Sequence, residues 1–409
     1  MTSAATTPQR TFAEQVVAKL RSAGYEALFA GGCVRDELLG RTPKDFDVAT
    51  SALPAEVREL FGKRRTLAIG AAFGVITVLG PKQAGQIEVA TFRSDADYSD
   101  GRRPDGVTFT TAEQDASRRD FTINGLFFDP QRQQVVDYVG GRADLAANTV
   151  RAIGDPEQRF AEDKLRMLRA VRFAATLGFE IDPATAEAIR QHAPQLAAIS
   201  AERIGAEVQR MLIDPNRVRA IELLQEVGLR GVVLPELEKA NREQQQSVMQ
   251  RLGRLRQPSL GLAIASLLFE LTEPPRALVL AQRLRFANRD GEHAAWLMAS
   301  VDRIAAIQSE AWSLVQPVLA HAGAADAVAL HEAIVGKPDT ASRACRAKLA
   351  LPREELDPPP LLSGDDLVRH GFKPGPTFKT WLRAVRGAQL DQQISTTAEA
   401  FDLVAQMST

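Results

Sequence analysis

Near residue 150 the spacing of apolar residues changes, and this switch limits what the chain can become. Upstream of it, short runs of strand character (YEALFA, FGVITVLG, QIEVATFR, FTINGLFFD, QVVDYV) alternate with helical and loop stretches, the pattern of a small α/β domain. TFAEQVVAKLRS, residues 11–22, is spaced as a helix with Gly24 as its stop. Downstream, beginning with RFAEDKLRMLRAVRFAATLGF, apolar residues recur at helical spacing to the carboxyl end. Pro235, Pro258, Pro274-Pro275 and Pro358-Pro359-Pro360 interrupt them. The expected plan is an α/β head over residues 1–150 and a helical remainder. A chain of 409 residues exceeds one ordinary core, so roughly two to four domains are expected.

Composition narrows the class. Apolar residues make up 45% and charged residues 25%, which fits a globular protein and not a disordered one. No apolar run is long enough to span a bilayer, so no membrane partner is expected. MTSAATTPQR lacks the basic region and apolar stretch of a secretory signal, making the cytoplasm the expected compartment. Cys33 and Cys345 are the only cysteines, too few and too far apart for a disulfide framework or a cysteine zinc site. With a net charge of −1, any nucleic-acid footprint has to be local.

The stretch GGCVRDELLGRTPKDFDVAT, residues 31–50, carries the first chemistry. If KDFDVAT is a strand, Asp45 and Asp47 share one face while Phe46 and Val48 face the core. Two carboxylates that close are costly unless a cation neutralises them or one holds a proton. Oxygen ligands with open positions suit Mg²⁺, which takes one or two carboxylates together with substrate phosphates. The plain alternative is a surface turn with solvated aspartates. Gly31-Gly32 follows a strand and opens a short helix, where backbone N–H groups and the helix dipole face an anion, and Arg35 would add a charge-assisted fork. An ordinary tight turn explains the glycines equally well. There is no G-x-x-x-x-G-K-[ST] and no G-x-G-x-x-G in a long βαβ unit, which removes the P-loop and dinucleotide readings.

Taken in order, GG-x-VRD-x-LLG-x₃-KDFDVATSA, ASRRDFTINGLFFD and EDKLRMLRAVRFAATLGF resemble the class II tRNA nucleotidyltransferase/poly(A) polymerase family of bacterial type. IEVATFRSDADYSDGRRPDGVTF, DYVGGRADL and ISAERIGAEVQRML extend the likeness over roughly residues 25 to 235. GDDLVRHGFKPGPTFKTWLRAVRGAQLDQQIST is similar, less specifically, to the tail of some members. The resemblance implies a nucleotidyltransferase head (a small mixed sheet with helices) over 1–150. It also implies a helical neck with a nucleotide-templating motif over 151–235, and a helical, tRNA-binding body and tail over 236–409.

By the same resemblance, Asp45 and Asp47 hold catalytic Mg²⁺ ions that activate the 3′-hydroxyl of an RNA primer and bind the triphosphate. Glu88 in QIEVATFR is a candidate third catalytic carboxylate; an exposed glutamate on an edge strand is the alternative. Gly31, Gly32, Arg35, Arg118, Arg119, Asp120 and Asn124 form the expected nucleotide-binding set of the head. In EDKLRMLRAVRF, Asp163 and Arg166 fall at i and i+3 of a predicted helix. An acceptor and a donor there can imitate a Watson–Crick edge and select C or A without a nucleic-acid template; an intrahelix ion pair is the plain reading. Arg169 and Arg172 continue along that helix as candidate nucleotide or primer contacts, with ordinary surface packing as the plain reading. Glu202 and Arg203 open the helix that braces it. RSDADYSDGRRPDGVTF, with Tyr98, Asp100, Arg102, Arg103 and Pro104, matches the loop used by family members that switch from C to A, and CC-only enzymes are expected to lack it. Arg251, Arg254 and Arg256, then Arg283, Arg285 and Arg289, are candidate phosphate contacts for a tRNA minihelix, or solvated helix faces.

The implied function is template-independent addition of CCA to tRNA 3′ ends from CTP and ATP. A poly(A) polymerase or an A-adding enzyme is the near alternative. Bacterial poly(A) polymerases tend to carry an RRF-type stretch and a basic tail, where this chain has KRRTLAIGAAFGVITV and a tail that is not basic. An RNA-binding scaffold without chemistry is the distant alternative, and paired carboxylates argue against it. No His is followed by Asp, so the phosphohydrolase domain of some relatives is not expected. Oligomeric state leaves no mark on the sequence.

Overall fold

A threonine cap and a proline in the first turn start the first helix. In this computed structural model, which describes residues 7–95 and 107–408, the Thr7 side chain accepts from the Arg10 amide and helix α1 (Pro8–Ser22) follows. Ala13, Val16, Val17 and Leu20 are buried along one stripe of α1. The head continues with β1 (Ala27–Ala30), α2 (Gly32–Leu38), β2 (Asp47–Thr50), α3 (Pro54–Phe61), β3 (Thr66–Leu67), β4 (Val75–Leu79) and β5 (Gln86–Thr91). It is completed by β6 (Arg93–Asp95), β7 (Val107–Phe109), α4 (Ala112–Ser117), β8 (Phe127–Asp129), β9 (Gln134–Val136), α5 (Gly141–Ala146) and β10 (Thr149–Val150).

Seven strands form one mixed sheet in the order β3-β4-β5-β2-β1-β8-β9. β2 and β5 run parallel, with Asp47 opposite Glu88 and Val48 opposite Val89; α3, β3 and β4 supply the crossover that a parallel pair needs. All four residues of β1 are buried, as expected of a strand covered on both faces. On one face Leu28 and Ala30 join Ala49, Phe92, Phe127 and the α4 alanines 112 and 116. On the other, Phe29 packs edge-on against Phe46 and tilted against Phe128. β5 buries Ile87, Val89 and Thr91 and leaves Glu88 on its open face. Glu88 therefore stands on an interior strand, and the edge-strand reading is corrected.

One further expectation changes. FTINGLFFD is not one strand: Thr122–Asn124 is a turn of 3-10 helix and only Phe127–Asp129 joins the sheet. Asp120 Oδ1 accepts from the Phe121 amide and from Asn124 Nδ2, which holds the chain in that turn. The loop segment begins and ends as an antiparallel hairpin of β6 with β7; Tyr98, Asp100, Arg102, Arg103 and Pro104 lie outside the described residues.

The chain divides into two compact units, Met1–Met211 with Arg219–Leu234, and Leu212–Val218 with Pro235–Thr409. In the first, the head is followed by α6 (Pro156–Glu162), α7 (Leu165–Leu177), β11 (Glu180–Ile181), α8 (Pro183–His192), α9 (Ala201–Ile213, its last two residues in the second unit) and α10 (Arg217–Glu226, whose first two residues also fall there). The second unit is helical. All nine residues of its helix Leu260–Leu268 are buried, and its carboxyl end has a core of Leu362, Leu367, Val385, Ala400 and Val404 packed by Phe372, Phe378 and Trp381. Arg251 is 2% exposed and donates to the Ser266 and Phe269 carbonyls. It ties two helix ends together and is not available to a phosphate, contrary to the expectation from its cluster. Arg283 pairs with Glu236, while Arg256 and Arg289 are exposed. No single helix among the described residues is long and apolar enough to cross a membrane.

Candidate active site

Strand alternation places the carboxylates. Phe46 and Val48 are 2% and 0% exposed, whereas Asp45 and Asp47 are exposed. The β2–β5 register sets Glu88 directly beside Asp47, a neighbour 41 positions along the chain that no local spacing reveals. The Asp47 carboxylate is reached by solvent yet lies in a recess walled by protein atoms. This loss of hydration, then the charges of Glu88 and Asp45, pushes its pKa up to about 6, with Arg119 acting in the opposite sense. Such crowding of oxygen-only donors is the chemistry that a hard divalent cation relieves. Among the described residues no three His, Cys, Asp or Glu side chains are grouped so as to hold a metal ion by themselves, so an ion here would need water and substrate oxygens to complete its shell, as Mg²⁺ does. The residues fit Mg²⁺.

Gly31 sits at the end of β1 with a φ of 72° and donates its N–H to the Leu126 carbonyl at 2.9 Å. Its positive φ requires glycine, and a Cβ here would lie 2.9 Å from Arg119 Nη1, so the guanidinium would have to shift. Arg119 and Arg118 are both drawn to Asp115, at 2.9 and 2.7 Å; Asp115 was absent from the expected set, although its i−3 and i−4 spacing to the arginines is a usable signal. Arg35 is turned inward. It pairs with Asp36, donates to Asn124 Oδ1 at 2.7 Å and lies 5.2 Å from the Phe173 ring centre. Gly32, the first residue of α2, lies close to the same guanidinium. Asn124 is thus shared between Arg35 and Asp120.

The templating segment departs most from expectation. Asp163 and Arg166 do not share a helix: α6 ends at Glu162, α7 begins at Leu165, and Asp163 between them is extended at φ −142°, ψ 102°. Asp163 Oδ1 accepts from the Leu165 amide at the start of α7, and Oδ2 accepts from Arg203 Nη2 at 2.8 Å. These two bonds, one local and one from 40 residues away, stabilise the break. Arg166 is 7% exposed, paired with Glu162 and donating to the Arg159 and Arg118 carbonyls. Arg169 pairs with Asp120 at 2.6 Å, Arg172 pairs with Glu207 on α9, and both guanidinium groups lie over Phe173. Burial works against the charge of Asp120, but Arg169 and the Asn124 and Phe121 donors hold its carboxyl below the usual range. Glu207 and Glu162 were not anticipated as partners.

A mixed sheet with carboxylates on adjoining parallel strands, a glycine turn and a pair of arginines beside them is the architecture of a nucleotidyltransferase head. A family model described as "Poly A polymerase head domain" matches residues 27–151, and one described as "Probable RNA and SrmB- binding site of polymerase A" matches residues 178–241. A CCA-adding enzyme of Geobacillus stearothermophilus is 45% identical over 231 residues, 56% of this chain and 55% of that protein. The chain thus spans about half the length of the curated relatives it matches. The solved structure of the Bacillus stearothermophilus CCA-adding enzyme in complex with CTP is 29% identical over 98% of both chains, with a TM-score of 0.82. A Thermotoga maritima CCA-adding enzyme complexed with tRNA is 18% identical over 99% of this chain and 97% of that one, with a TM-score of 0.67, and supports the fold alone. Residues 27–151 and 178–241 are therefore similar to the poly(A) polymerase head and RNA-binding families, and about half of the chain is similar to CCA-adding enzymes.

Proposed function

We propose that this protein adds CCA to tRNA 3′ ends from CTP and ATP without a nucleic-acid template. The observation that carries the reading is the register of β2 with β5, which puts Asp47 beside Glu88, with Asp45 two residues from Asp47 and the Arg119 charge acting on Asp47. The likeness to a CTP-bound CCA-adding enzyme over nearly the whole chain supports it. Mg²⁺ held by Asp45 and Asp47, with Glu88 adjacent, would lower the charge of the triphosphate and acidify the primer 3′-hydroxyl. Arg118 and Arg119 grip the triphosphate, and the glycine turn at Gly31 and Gly32 lets it approach the backbone. Asp163 and Arg166 present the acceptor and donors that select the base, with Arg169 and Arg172 holding their helix in place through Asp120 and Glu207. In this division of labour the head (1–150) performs the chemistry, the neck (151–235) selects the base, and the body and tail (236–409) hold the tRNA. The cytoplasm is the compartment this substrate implies.

The test uses purified protein, Mg²⁺, CTP and ATP with three tRNA transcripts ending before CCA, after C and after CC. Extension of all three to a single CCA end is expected. Extension of only the CC-ended transcript would make it an A-adding enzyme, and long A ladders a poly(A) polymerase.

A further inference from the structure

Helix spacing gathers two neighbouring arginines onto one carboxylate. Asp115 precedes Arg118 by three residues and Arg119 by four, the two separations that bring side chains onto one face of a helical turn. Its Oδ1 accepts from Arg118 Nε at 2.9 Å and Nη2 at 2.7 Å; its Oδ2 accepts from Arg119 Nε at 3.2 Å and Nη2 at 2.9 Å. Side chains of consecutive residues leaving a helix diverge unless something holds them together, and here both guanidinium planes are held by one edge. The Asp115 side chain is 1% exposed, whereas those of Arg118 and Arg119 keep 20% and 18% of their surface open. The carboxylate is sealed from any ligand while its two partners are not. The same cluster is anchored to β6, because Asp115 Oδ1 accepts from the Arg93 amide and Arg118 Nε donates to the Arg93 carbonyl. Arg119 is fixed further by the Phe127 ring 4.9 Å away and by the Asn124 carbonyl.

We infer that Asp115 is a positioning residue that holds Arg118 and Arg119 as one two-pronged grip on the triphosphate of the incoming nucleotide. The inference rests on the proposed function for the identity of the anion. Each carboxylate oxygen of Asp115 takes one guanidinium, so a single side chain orients both prongs. A planar fork that is already fixed loses little side-chain entropy when an anion arrives. The two cations also outweigh the burial that opposes ionisation and hold the Asp115 carboxyl below the usual range, which keeps the anchor charged under working conditions.

The experiment compares wild type, Asp115→Asn and Asp115→Glu by calorimetric binding of pyrophosphate with Mg²⁺, and by KM and kcat for CTP and ATP on a tRNA transcript. Asp115→Asn is expected to weaken pyrophosphate binding about tenfold and to raise KM for both nucleotides by a similar factor, with a much smaller change in kcat. Asp115→Glu, which keeps the charge, is expected to recover part of the loss. A purely structural Asp115 would lower the active fraction and the unfolding midpoint while leaving KM and pyrophosphate affinity unchanged, and that result overturns the inference. If Asp115→Asn does not fold, Asp115→Glu carries the test, since its displaced carboxylate must still alter pyrophosphate affinity. Incorporation of C and A with equal pyrophosphate affinity in all three proteins would reject the role of Asp115 alone. Pyrophosphate binding without incorporation would reject the proposed function and leave Asp115 to be judged on the affinities. Wild type that binds no pyrophosphate overturns the inference.

Discussion

Asp47 is the residue most at odds with its neighbours. Its carboxyl pKa is raised from 3.8 to about 6 by lost hydration and by Glu88 and Asp45, so between those values the native state holds a proton that the unfolded chain has released. Stability from this group is therefore fully present below about 4 and is lost as pH rises through about 6. In metal-free buffer Asp47→Asn is expected to unfold at a higher temperature than wild type at pH 7, with the gap closing towards pH 4; Asp45, Glu88 and Arg119 are the charged groups that set it. The same substitution is expected to cut nucleotide incorporation by about three orders of magnitude while tRNA binding, read by filter retention, persists. Arg166 combines two roles. Its guanidinium serves the Arg159 and Arg118 carbonyls as well as Glu162, so Arg166→Ala is expected to cost about 1–3 kcal/mol in urea unfolding. Misincorporation of G and U should rise in the same variant, measured with single nucleotides on a CC-ended transcript.

Among the elements, the break between α6 and α7 most affects the proposed templating. Asp163→Ala removes the acceptor at the Leu165 amide and leaves Arg203 without its partner, and is expected to cost about 1 kcal/mol. Arg203→Ala spares the Leu165 bond, so it should disturb C and A selection while costing less in unfolding. The sequence could not show this break, because EDKLRML keeps helical spacing straight through it and the bond that stabilises it comes from Arg203, 40 residues on. Arg251 failed for a related reason: three arginines close together in sequence look like a basic face until the carboxyl end of the following helix is folded over one of them. What was legible depended on short-range rules. Alternate burial around Asp45 and Asp47, the glycine at the end of β1 and the change of periodicity near residue 150 all follow from spacing alone. The partner of Asp47 across the sheet, and the acidic partners of Arg169, Arg172 and Arg203, follow from strand order and helix docking, which spacing does not encode; Asp115 and Glu162 stand only three or four residues from their arginines.

At the scale of the whole chain, each unit has its own apolar core: Leu28, Ala49, Phe92 and Phe127 in the first, the helix Leu260–Leu268 in the second. The chain crosses between them more than once, at Met211, Arg219 and Pro235, so neither unit is a single uninterrupted span. The parallel pairing of Asp47 with Glu88 has a genetic consequence. Side chains alternate faces along a strand, so the site depends on the parity of the residue count within β2 and β5 and not on the number of residues joining them. An in-frame codon inserted among residues 81–84, in the turn between β4 and β5, is expected to be silent in a strain that depends on this gene. The same codon inserted between Ile87 and Glu88 must either bulge the strand or turn a carboxylate into the core, and should be lethal there. An insertion scan of residues 44–92 would then trace the sheet as a pattern of tolerated and forbidden positions.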